Sequence, residues 1–93
     1  MCRNITELRG LLPPATLEEI DAAALQYVRK VSGLTKPPAD PAGAAAFAHA
    51  VREVSDATAR LLHELPERRN PPKTVPPLRR PEVRARIAAR SRA

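Results

Sequence analysis

A chain of 93 residues with Tyr27 and Phe47 as its only aromatics and no Trp has material for one thin core, built from Leu, Ile, Val and Ala. Its single Cys2 excludes an internal disulfide framework, the first 20 residues lack the apolar run of a secretory signal, and nowhere do about 18 apolar residues run together, so a cytoplasmic protein with no membrane span is expected. The formal charge of +6 is unevenly placed: residues 1–65 hold seven basic against eight acidic side chains, or −1, while residues 66–93 hold nine against two, or +7.

In chain order, Asn4 followed three residues later by Glu7 is an N-cap signature, and with Ile5 and Leu8 on one side and Gly10 as a stop it predicts one helical turn. Pro13 and Pro14 hold the chain extended. Thr16 and Glu19 form the capping box T-x-x-E, which predicts a helix over 17–32 with Ile20, Ala24, Tyr27, Val31 and Leu34 as its buried stripe. Gly33 supplies the left-handed residue that ends it, and Leu34 is placed to pack back on Val28. The connector with Pro37 and Pro38 is short, which favours an antiparallel return.

Asp40 and Pro41 start the second helix, predicted over 41–65, and Pro66 ends it. Phe47, Val51, Val54, Thr58, Leu61 and Leu65 form a seam close to heptad spacing. A homodimer or a partner helix is therefore expected through Phe47, Val51, Val54, Leu61 and Leu65. From Pro66 onward six prolines and nine basic residues predict an extended, solvated spacer over 66–80, and no P-x-x-P spacing occurs in it. Pro81, with Val83 and Ile87 four apart, predicts a last short helix over about 81–91. The expected fold is all-α: a hairpin domain over 1–65 with a short N-terminal element, and an extended basic tail over 66–93.

The strings Met1-Cys2-Arg3-Asn4-Ile5, Pro13-Pro14-Ala15-Thr16, Tyr27-Val28-Arg29-Lys30-Val31-Ser32-Gly33 and Thr35-Lys36-Pro37 resemble the small bacterial proteins grouped as domain of unknown function twenty-two seventy-seven. The resemblance covers about residues 1–65 and implies a bacterial host, but it implies no activity, cofactor or catalytic residue.

Function therefore has to be read from the residues. His49 and His63 are 14 positions, or about 21 Å, apart on one helix and cannot share a metal ion. His49 is expected to border the packed face, and His63 to serve the helix C-terminus. Cys2 would become an N-terminal thiol if Met1 were removed, but one thiolate without a second ligand nearby reads better as a small hydrophobe than as a metal or redox site. Glu18, Glu19 and Asp21 lie at the first turns of the first helix, where the dipole accounts for them without catalysis. No catalytic residue, metal or cofactor is expected.

The basic tail is the strongest functional lead. Arg68, Arg69, Lys73, Arg79, Arg80, Arg84, Arg86, Arg90 and Arg92 are candidate phosphate contacts to RNA or another polyanion. The tail has no aromatic residue to stack on a base, so binding should follow the backbone rather than the sequence. A helix-mediated protein interaction module is the competing reading, and a redox or metal protein using Cys2 is the least supported.

Overall fold

The computed structural model describes residues 3–92 of the chain, so Cys2 lies outside the described residues. Thr16 has extended backbone; its Oγ1 accepts from the Glu19 N–H at 3.2 Å, and Glu19 Oε1 accepts from the Thr16 N–H at 2.9 Å. This reciprocal pair satisfies two donors that a helix start leaves open. The helix it begins, α1, runs Leu17–Ser32 and ends at Gly33, where φ is 75° and the N–H donates to the Arg29 carbonyl. Asp40 caps α2, Pro41–Glu64, by accepting from the Gly43 N–H at 2.6 Å. Both helices run where the sequence places them, with Leu65 as the cap of α2 rather than its last residue.

The two helices form an antiparallel hairpin. Asp21, near the start of α1, accepts from Ser55 Oγ in the second half of α2 at 2.7 Å. Along α1 the buried residues are Ile20, Ala24 and Val28, an i, i+4, i+8 ridge of the kind that fits a neighbouring groove. The expected stripe is thus corrected: Tyr27 is 49% and Val31 66% exposed, and Leu34 also stays exposed.

On α2, Phe47 is buried, Val51, Val54, Thr58 and Leu62 are half-buried, and Leu61 and Leu65 are exposed. The strict heptad seam fails because a straight helix drifts about 20° per heptad, which brings Leu62 inward in place of Leu61. Phe47, expected at a partner interface, faces into the chain itself. His49 does not border the packed face either; it is exposed and lies 3.5 Å from Glu53 one turn on. His63 is in the last turn of α2, as expected.

The predicted helical turn after Asn4 does not form, because tertiary contacts claim the segment. The Asn4 N–H donates to Gln26 Oε1 at 2.6 Å, and Leu8 and Leu11 are buried with Ile20, flanked by Ala15, Ala59 and Leu62. Gly10 holds a φ of 86°, and a Cβ there would lie 2.8 Å from the Cβ of Arg68. Glycine is required both for that backbone and for the close approach of the tail.

The tail is largely exposed over 66–75, as a spacer would be, but it does not stand away from the hairpin. Arg9 donates from Nε and Nη2 to the Pro66 carbonyl at 3.2 and 3.0 Å, Pro76 is buried, and a 3-10 turn covers Pro77–Arg79. A last helix, α3, follows over Pro81–Arg92, as the sequence predicts. Among the described residues no helix is long and apolar enough to cross a membrane.

Candidate anion-binding site

The tail is anchored by three arginines, each reaching an acidic residue of the N-terminal half. Arg79 is the most enclosed of them. Its Nε donates to Glu19 Oε2 at 2.6 Å, and its Nη2 donates to Glu19 Oε1 at 3.0 Å and to the carbonyls of Pro13 and Pro14 at 2.7 and 3.1 Å. The planar guanidinium thus makes a two-pronged bond to a carboxylate and also satisfies a Pro-Pro carbonyl pair.

The hydrogen bond from Arg79 holds the Glu19 carboxyl below its ordinary pKa, against the opposing effect of burial, with the Thr16 N–H assisting. The same hydrogen bond raises Arg79. Arg84 donates from Nη2 to Glu18 Oε1 at 2.7 Å and is raised by that bond, while Arg68 Nη1 donates to Glu7 Oε2 and to the Arg9 carbonyl, each at 3.3 Å.

Three of the nine candidate phosphate contacts, Arg68, Arg79 and Arg84, are therefore internal staples. This corrects the reading of the whole tail as a free polyanion-binding arm. It also corrects the account of the acidic residues at the start of α1: Glu18, Glu19 and Asp21 each hold a specific partner beyond the helix dipole.

The remaining described candidates are exposed: Arg69, Lys73, Arg80, Arg86 and Arg90. Arg92 closes α3. Arg80 and Arg86 line one cleft of about 510 Å³ together with Arg3, Thr6, Thr74, Val75, Pro77, Glu82 and Val83. A smaller hollow of about 230 Å³ continues it, sharing Arg3, Pro77, Val83 and Arg86 and adding Arg90. Among the described residues, Arg3, Arg80, Arg86 and Arg90 make no ion pair.

Arg3 belongs to the near-neutral half, and nothing local in the sequence marks it as a neighbour of the tail. Thr6 Oγ1 is buried without a hydrogen-bond partner, which costs about 1–3 kcal/mol unless something completes it. Among the described residues Glu82 is the one carboxylate in the cleft wall. Among the described residues no three His, Cys, Asp or Glu side chains gather at one point.

These features define a small all-α protein in which a helical hairpin carries a stapled basic tail and an arginine-lined cleft between the tail and the N-terminal segment. The chain belongs to the family described as uncharacterized conserved protein (DUF2277), whose profile it matches over residues 1–86. The match extends past the expected limit near residue 65 and takes in Arg68, Arg79, Arg80, Arg84 and Arg86. No curated protein and no solved structure matches the chain.

Proposed function

We propose that this protein is a non-catalytic binding protein for RNA, gripping the phosphate backbone along the groove of Arg3, Arg80, Arg86 and Arg90. The observation that carries this reading is the sorting of the arginines. Those that meet a carboxylate tie the tail down, while four without one share a continuous groove. Unpaired guanidinium groups in a concave surface concentrate positive potential and bind phosphate in a forked geometry. The groove is lined by no aromatic side chain, so the expected contacts are to phosphate and sugar with weak sequence preference.

Removing the tail after Leu65 would remove the staples along with the charge, so a substitution is the cleaner test. The triple change Arg80→Gln, Arg86→Gln and Arg90→Gln touches no ion pair and should leave the melting temperature nearly unchanged. With about four phosphate contacts on single-stranded RNA, log affinity should fall with log salt at a slope near −3, and the triple variant should lose most of that slope. A salt slope near zero for the full chain would reject the RNA reading. It would favour pairing through the exposed apolar residues of α2, where Leu61 is 54% exposed.

A further inference from the structure

We propose that the larger part of this groove, between Arg3, Thr6, Arg80 and Arg86, is a pocket for a phosphate monoester dianion. The proposal rests on the phosphate-binding reading above and narrows it to one chemical group. Three arginines without carboxylate partners face a single acid, Glu82, so the wall carries a net charge of about two, and a phosphate monoester carries about −1.5 to −2 at pH 7. A backbone diester carries only one charge and one fewer acceptor oxygen. The volume of about 510 Å³ falls in the range of small-ligand pockets.

Two further features of the same wall favour an anion. The cleft reaches the N-terminus of α3, a helix of 12 residues, through Glu82 and Val83. In its first turn Pro81 has no N–H, and Val83 and Arg84 donate to the Arg80 carbonyl, so the Glu82 N–H is left for a ligand at the positive end of the dipole. Thr6 also lines the cleft, and its hydroxyl has no hydrogen-bond partner within the protein.

Inorganic phosphate and ribose 5-phosphate titrated into the full chain, followed by backbone amide shifts, decide the matter. Saturable shifts centred on Thr6, Arg80, Glu82 and Val83 are expected. Arg80→Gln or Arg86→Gln should weaken binding about tenfold, and Glu82→Gln should strengthen it about two- to fivefold. Neither arginine has an internal partner, so both variants should fold, as a thermal melt will verify. Binding should also weaken as pH drops below about 6, where the ligand takes up a proton. The charged groups that face the ligand from the cleft wall are Arg3, Arg80, Arg86 and Glu82.

Single-stranded RNA with a 5′-phosphate, set against the same strand with a 5′-hydroxyl, separates the sources. Tighter binding of the phosphorylated strand than of ribose 5-phosphate assigns the pocket to nucleic-acid ends, and the reverse order assigns it to a free organic phosphate. Salt-steep binding of both strands alike, with no saturable phosphate shift, overturns the pocket and leaves the RNA function standing. Absence of binding to every probe overturns both.

Discussion

Glu19 answers two demands at once: its carboxylate closes the capping box on Thr16 and receives the fork of Arg79. The first demand is local, three residues along the chain, and so the T-x-x-E pattern reveals it. The second spans 60 residues and leaves no local trace. Core positions divide in the same way. Ile20 and Ala24 follow from helical spacing, but which of Leu61 and Leu62 turns inward depends on the accumulated twist of α2. Ile20→Ala should therefore cost about 2–5 kcal/mol in urea unfolding, because Ile20 is 5% exposed and flanked by Leu8 and Leu11. Leu61→Ala should cost less than about 0.5 kcal/mol. Equal losses at the two sites would mean that the exposed face of α2 is covered in solution.

At the scale of elements, α1 and α2 were legible because each carries its own start and stop: Thr16 and Gly33, then Asp40, Pro41 and Pro66. The N-terminal segment and the tail carry weaker signals, and their conformations are set by each other and by the hairpin. Arg68 lies over Gly10, Arg9 reaches the Pro66 carbonyl, and Arg79 binds the carbonyls of Pro13 and Pro14. A Pro-Pro step has no N–H to enter a ladder, and its carbonyls need outside donors. That is the one hint in the sequence that a basic side chain would come to meet it. Arg79→Gln should cost about 2–4 kcal/mol, since it leaves a buried carboxylate without its cation. Arg79→Lys should recover only part of this, because an ammonium cannot reproduce the fork. Arg84→Gln, at an exposed pair, should cost far less than Arg79→Gln in the same unfolding measurement. Full stability in Arg79→Lys would show that charge alone, without the forked geometry, secures the tail.

For the whole molecule, the near-neutral half and the +7 tail are joined through three arginine–carboxylate pairs as well as through backbone carbonyls, so acid should loosen them from each other. Glu19 controls the sign. Its folded pKa is held below its ordinary value near 4.5, first by the hydrogen bond from Arg79, so the bond contributes its full stability above that pH and loses it as pH falls through the depressed folded value. The urea midpoint of the full chain should be level from about pH 7 to pH 5.5 and decline below about pH 4.5. Salt separates this contribution from the outer pairs. Arg68 with Glu7 and Arg84 with Glu18 are exposed and screened, whereas Glu19 at 3% side-chain exposure is shielded, so its share of the acid decline should persist in about 0.5 M salt. Glu19→Gln should start less stable and show a shallower decline over the same range. The arginine cleft depends on the tail being docked, because Arg80 follows Arg79 directly, and anion binding should therefore be lost again below about pH 4.5. That loss is separate from the weakening near pH 6 that a phosphate monoester brings by its own titration. An acid decline of equal depth in Glu19→Gln and in the unaltered chain would remove Glu19 as its cause and place the sensitivity in the exposed pairs.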